Sequence, residues 1–255
     1  MPTAALNIAS TRNGLRPTTD VKPYPGKANK TGKKKMLEQI SLDLPATHAA
    51  IASLKLGSVV YLNGMVYTAR EGVYERILNG RSQLPEGLIA SSNVNFHCSP
   101  AAALQEDGEY RIGGVTATAS FRFSKYLAKW LDLTNTKIII GKGGMPVADY
   151  KSILAPRGAV YLTTVGYGTG ALLGRGVQGV EAVHWLDELG IAQAMWIFRV
   201  KDFGPFLVDS DLQGNSLFAQ QGELVNKNIE SLYNGLKAPA LHRYGETRDR
   251  KDELM

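Results

Sequence analysis

Apolar and polar positions run along this chain in two rhythms, and the places where one gives way to the other mark its elements. PATHAAIASLKLG, residues 45–57, predicts a short helix with Pro45 at its first position and Gly57 at its stop. SVVYLNGMVYTAR follows, with β-rich runs at 59–62 and 65–68 on either side of Asn63-Gly64. That pattern predicts a hairpin, which delivers Arg70 at a strand exit. EGVYERILNG predicts a helix closed by Asn79 and Gly80, and SSNVNFHCSP a strand ended by Pro100. Tyr126, Leu127, Trp130 and Leu131 then recur at helical spacing; Thr118 or Ser120 would cap that helix, with Arg122 in or near its first turn. TKIIIGKGGMPVADY, residues 136–150, is an apolar run that breaks into a glycine-rich turn holding Lys142. RGAVYLTTVGYG reads as a strand, GALLGRGVQGVEAVHW as a small-residue helix or turn leading to a strand, and MWIFRVKDF and FLVDSD as two more strands. ELVNKNIESLYNGL predicts an amphipathic helix with Leu224, Ile229, Leu232 and Tyr233 on or near one face. Strands interleaved with helices, without a repeat period, make this an α/β domain.

At 255 residues and 44% hydrophobic, the chain can bury a core of its own. No apolar stretch approaches the roughly 18 residues of a membrane span, and the N-terminus lacks the apolar segment of a secretory signal, so a cytoplasmic protein is expected. The net charge of +6 is unevenly placed: Arg12, Arg16 and six lysines stand against Asp20 alone in residues 1–35, which is +7 and leaves −1 for the rest. The chain therefore divides into a basic, proline-containing arm (1–39), an α/β domain (40–222) and a C-terminal helix with a polar tail (223–255). The arm suits a solvated segment or one draped over a partner subunit better than a nucleic-acid binder, and its acid-poor composition leaves organellar import open. KDEL near the end is followed by Met255, so it is not a terminal retention signal.

The glycine-rich turn invites a nucleotide reading, which its own residues reject. A Walker loop needs Ser or Thr after GK to ligate magnesium; here Gly143 follows Lys142, and Thr136 occupies the place of the first glycine. What remains is a backbone rich in amide donors with one cation, suited to a small carboxylate or phosphate, or else an ordinary strand-to-helix turn with a solvated lysine. Among the other candidates, His48, His97, His184 and His242 show no metal-ligand spacing and read as structural or solvated. Cys98, the single cysteine, stands next to His97 on a strand, where neighbours face opposite sides; a buried, inert thiol is the expectation. Trp130, Trp185 and Trp196 read as core.

The ordered segments GSVVYLNGMVYTARE, GGVTATASFR, IIIGKGGM, GAVYLTTVGYGTGALL and VEAVHWLDELGIAQAMWIFRVKDFGPFLVDSDLQGNSLF, spanning about residues 44–218, resemble the β subunit or C-terminal domain of the class I fumarase and L-tartrate dehydratase family of iron-sulfur hydro-lyases. KGGM and DxxGNSLF are the most specific of these motifs. The resemblance implies a swivelling α/β domain that packs on a separate α subunit. It also implies a 4Fe-4S cluster held by three cysteines of that α part, with one iron free for the substrate's hydroxyl and carboxylate.

Carried over position by position, the resemblance makes Arg70 of the TAR-acid motif a ligand of a substrate carboxylate, where the residue alone would equally suit an ion pair with a protein carboxylate. It makes Thr118 the general base and Arg122, four residues on, a second carboxylate ligand, with Thr116 and Ser120 as neighbouring hydroxyls in the same run. It places Lys142 on a carboxylate, with Gly143 admitting close backbone approach. The implied function is the β component of a hydro-lyase acting on fumarate, malate or tartrate, with a non-catalytic descendant that binds a dicarboxylate or a protein partner as the alternative. Three positions depart from the family pattern: Glu71 and Tyr74 replace its Asp and His, and Ser99 replaces a Gly. FGPF, residues 203–206, sits nearer the tartrate dehydratases than the fumarases.

Overall fold

A computed structural model describes residues 37–232 apart from residue 167; most of the basic arm, Tyr233, His242 and the polar tail lie outside the described residues, as do the side chains from residue 230 onward. Among the described residues, nine strands are interspersed with helices: β1 Gln39–Asp43, β2 Val59–Thr68, β3 Val94–Phe96, β4 Cys98–Leu104, β5 Tyr110–Ala117, β6 Ile138–Gly141, β7 Val160–Thr164, β8 Val177–His184 and β9 Met195–Ser210. Strands β1, β2, β3, β6 and β7 run parallel in that order. The long β9 pairs antiparallel with both β7 and β2, so the sheet closes on itself through β2, β3, β6, β7 and β9, and β8 pairs with the first part of β9, on the same edge that β7 takes further along. Strands β4 and β5 form a separate two-stranded ribbon.

The closed sheet is why its strands read as continuous apolar runs. Ile138 and Ile140 belong to one buried cluster with Leu62, Val66, Phe96, Leu162 and Phe206, while Ile139 between them joins Tyr67, Tyr74, Leu127, Trp130 and Ile197 in the other. Alternate residues thus fill the inside of the sheet and the layer beneath the helices Glu71–Leu78 and Ser124–Thr134. Trp130 and Trp196 are fully buried, and Trp185 packs at the margin.

Several expected boundaries move. Asn63-Gly64 makes no hairpin: β2 runs through it, with register shifts against β9 on both sides. Asn63 Oδ1 accepts from Asp202 N at 2.8 Å, and a Cβ on Gly64 would stand 2.9 Å from Leu44 O, so the pair serves a bulge and a close backbone approach. The first helix is His48–Ala52, capped by Thr47 rather than begun at Pro45, and it ends before Gly57. Pro100 lies inside β4 at a two-stranded ribbon, where a missing donor is tolerated, instead of ending a strand. MWIFRVKDF and FLVDSD are one strand, β9, with the Phe203 and Phe206 rings of FGPF buried in the core. Neither Thr118 nor Ser120 caps a helix; a 3-10 turn Ser120–Phe123 precedes the helix Ser124–Thr134 and carries Arg122. The final helix starts earlier than its pattern predicts, at Leu217, because the carboxylate of Asp209 and the hydroxyl of Ser216 cap it there.

Candidate functional site

Strand register gathers the candidate residues at one end of the sheet. Thr68 lies opposite Phe96, Phe96 opposite Ile140, and Gly141 opposite Thr163. The chain therefore leaves β2 toward Arg70, β3 toward His97, β6 toward Lys142 and β7 at Thr164 at neighbouring points. These are the carboxyl ends of parallel strands, where open and closed α/β sheets alike collect ligands.

Thr118 is stitched between two of those exits. Its N–H donates to His97 O at 2.7 Å, its carbonyl accepts from Lys142 N at 3.1 Å, and Ala119 forms a parallel bridge with Lys142. Gly141 makes this possible: a Cβ there would stand 2.0 Å from Ser120 Oγ and 3.0 Å from Thr118 O. Gly143, at φ +66, has nothing within 4 Å of where its Cβ would be, so its requirement is the left-handed turn. The Thr118 hydroxyl makes no hydrogen bond among the described residues.

Three cations surround this junction without a carboxylate partner among the described residues. Lys142 is exposed, and Arg122, also exposed, lies over the Phe123 ring at 5.5 Å. Arg70 is half-buried: its Nη1 donates to Ser99 Oγ and, at 2.9 Å, to Ala192 O, while its Nε is buried without a partner. Burial first, and then the charge of Arg122, lower the Arg70 pKa, so the two guanidiniums feel one another. Glu71, the acid beside Arg70, is turned to Lys125 at 3.8 Å and to the Tyr126 hydroxyl.

Lys142 and Gly143 also line a cleft of about 740 Å³ together with Gly144, Thr116, Thr164 and Phe218. Arg70, Thr118 and Arg122 are not among its lining residues. The structure thus brings Lys142 and Gly143 into a cavity, brings Arg70 and Arg122 within electrostatic reach of each other, and joins Thr118 to Lys142 through backbone alone. Thr116, the neighbouring hydroxyl, is the threonine of that run that faces the cleft.

Beneath the junction lies a buried relay that the sequence pattern does not single out. Asn95 Nδ2 donates to Tyr74 OH at 2.7 Å, Tyr74 OH shares a hydrogen bond with His97 Nε2, the opposite ring nitrogen, Nδ1, shares one with Ser120 Oγ at 2.7 Å, and Ser120 Oγ accepts from Tyr161 OH at 3.0 Å. His97 is fully buried, and burial, then Arg70, bring its pKa down to about 3, so the ring is neutral. Tyr74 and Ser99 thus each hold a group of this region. His48 is exposed, and His184, partly buried, has an unpartnered Nε2.

No group of three or more His, Cys, Asp or Glu side chains among the described residues is arranged to hold a metal ion. Cys98 is buried and its thiol is pushed well above the usual range by burial. The donor set of this chain does not fit an iron-sulfur cluster. Nor is any helix among the described residues long and apolar enough to cross a membrane.

Fold and site together define an α/β domain whose candidate residues gather at the carboxyl ends of its parallel strands. The model of the family described as Fumarase C-terminus matches residues 15–221. A Methanocaldococcus jannaschii protein provisionally named L(+)-tartrate dehydratase subunit beta is 35% identical over 193 residues, which is 74% of this chain and 94% of that one. The L(+)-tartrate dehydratase subunit beta of Escherichia coli K12 is 28% identical over 191 residues, 72% of this chain and 88% of that one. A Geobacillus stearothermophilus protein provisionally named fumarate hydratase class I is 33% identical over 178 residues, 70% of this chain but 33% of the relative, so the chain spans about a third of it. The chain belongs to the Fumarase C-terminus family, as a β subunit of the class I fumarase and tartrate dehydratase type.

Proposed function

We propose that the chain is the β component of an iron-sulfur-dependent hydro-lyase that reversibly adds or removes water on a dicarboxylate of the fumarate, malate or tartrate type. The observation that carries this reading is the junction itself: Thr118 bonded to the backbone of Lys142, with three cations about it and no carboxylate partner for any of them among the described residues. In the dehydration direction, Thr118 takes the proton from the carbon next to a carboxylate, and the charge that builds on that carboxylate is met by Arg70, Arg122 and Lys142. A neutral threonine hydroxyl cannot take up a carbon-bound proton, so the base is the Thr118 alkoxide, and the cations have a second task, stabilising that alkoxide so that the hydroxyl first gives its own proton to solvent. The cluster belongs to an α subunit, which supplies the chemistry at the departing hydroxyl; the proton and the carboxylates are the part of this chain.

One observation favours the non-catalytic alternative. Lys142 lines the cleft whereas Thr118 does not, as a carboxylate-binding descendant without a base would have it. Anaerobic capture of the full chain from its own cells separates the two. The enzyme reading expects a brown, oxygen-sensitive complex with a partner carrying three cluster cysteines, active on fumarate, malate or tartrate. A chain that comes down alone and binds dicarboxylates without turnover contradicts it.

A further inference from the structure

The turn that carries Lys142 is anchored at both ends, and the second anchor lies far along the chain. Upstream, Lys142 N is held by Thr118 O. Downstream, Met145 N donates to Tyr150 OH at 2.7 Å, and that hydroxyl donates to Asp209 Oδ2. Asp209 is fully buried, and its other oxygen accepts from Ser216 Oγ at 3.1 Å and Phe218 N at 3.0 Å, at the start of the helix Leu217–Leu232. Gly144 packs into the same corner: a Cβ there would stand 3.0 Å from Phe218 Cδ2 and 3.1 Å from Asp209 Oδ2. KGGM and DxxGNSLF therefore meet around one carboxylate. Burial, and then Asp209, raise the Tyr150 pKa, which keeps its hydroxyl a donor. Between the two anchors, Gly143 and the Lys142 side chain are exposed.

We infer that Tyr150 and Asp209 are positioning residues for substrate binding: the Tyr150 hydroxyl, held by the Asp209 carboxylate, fixes the 142–145 turn so that the Lys142 ammonium meets the substrate carboxylate. This rests on the reading of Lys142 as a carboxylate ligand. A fixed turn arrives with its ordering already done, which shows as affinity. A loose one must be ordered by each substrate molecule.

The test uses the full chain in its complex with the α subunit, assayed with L-tartrate, fumarate and malate, and the variants Tyr150→Phe, Asp209→Asn, Lys142→Ala and Tyr150→Phe/Lys142→Ala. Asparagine at 209 keeps a cap for the helix while removing the charge. Tyr150→Phe and Asp209→Asn should each raise KM about tenfold with a smaller change in kcat, and Tyr150→Phe should add less than about twofold once Lys142 is gone. Amide exchange at Gly143, Gly144 and Met145 should speed up about tenfold in Tyr150→Phe with the core strands unchanged. If Lys142→Ala raises KM while Tyr150→Phe moves neither KM nor exchange at Met145, the positioning role is overturned and the carboxylate reading stands. If Tyr150→Phe costs as much without Lys142 as with it, its effect is general destabilisation and the inference fails. If Lys142→Ala leaves KM unchanged, the carboxylate reading itself falls, and faster exchange in Tyr150→Phe would then report an anchored turn without a substrate role.

Discussion

Outside the Thr118–Lys142 hydrogen bond, Lys142, Arg122 and Arg70 present charge with no carboxylate among the described residues to meet it; inside, Tyr74, His97, Ser120 and Tyr161 hand hydrogen bonds to one another in full burial. The contrast teaches where each kind of group is tolerable. Buried polar atoms are costly unless paired, so the inner region is neutral and satisfied. Exposed cations such as Lys142 and Arg122 cost little; Arg70 is half-buried, and Glu71, which acts on it through charge, is bonded to Tyr126 and lies 3.8 Å from Lys125. A site for a dianion needs both: charge left unspent, and a rigid frame that holds it there.

The two regions should respond differently to change. The largest effect is expected from Arg122→Ala, which removes an outer charge: kcat/KM of the partnered complex should fall about 100-fold or more while the urea midpoint stays put. Acid should strike the inner region. His97 has its pKa lowered from 6.5 to about 3, so the unfolded chain takes up a proton that the folded one refuses. The stability this group contributes is nearly complete above about pH 6.5 and drains as pH falls toward 3, a loss of roughly 2.5 kcal/mol between pH 7 and 4.5. Urea unfolding at those two pH values should show it, and His97→Gln should flatten the slope. Tyr74→Phe strands Asn95 Nδ2 and His97 Nε2 and should cost about 2 kcal/mol of stability with KM unchanged. The smallest change is expected at a paired surface cation: the Lys55–Glu38 bridge is 3.5 Å long with side chains 75% and 53% exposed, and Lys55→Ala should move stability by less than about 0.5 kcal/mol and activity not at all.

Much of the fold was legible because apolar runs of strand length alternate with helical patterns, and the closing of the sheet could not be read from them. Its closure depends on β9 pairing with two strands at once, over 16 residues that read as two separate strands because Gly204 and Pro205 interrupt them. Asn63-Gly64 misled for a related reason: the dipeptide's tolerance of unusual backbone serves a bulge as well as it serves a turn. At the site, Lys142 stood out as a lone cation among glycines, and Gly143 as its neighbour. Gly141, whose missing Cβ lets the threonine run lie against β6, carried no sign in sequence because the atoms it must avoid, Ser120 Oγ and Thr118 O, come from a distant segment. His97 read as structural, and its partners Tyr74 and Ser120 came from two other elements that only packing unites.

Thr116 lines the cleft, whereas Thr118 is bonded to the Lys142 backbone. The decisive measurement is therefore kcat of the anaerobically purified complex bearing Thr118→Ala beside that bearing Thr116→Ala, each with its cluster content matched to the parent. With Thr118 as general base, the first should lose about 1,000-fold in turnover and the second stay within about threefold. Turnover that survives Thr118→Ala, or that vanishes with Thr116→Ala instead, would contradict the assignment of Thr118 as the base.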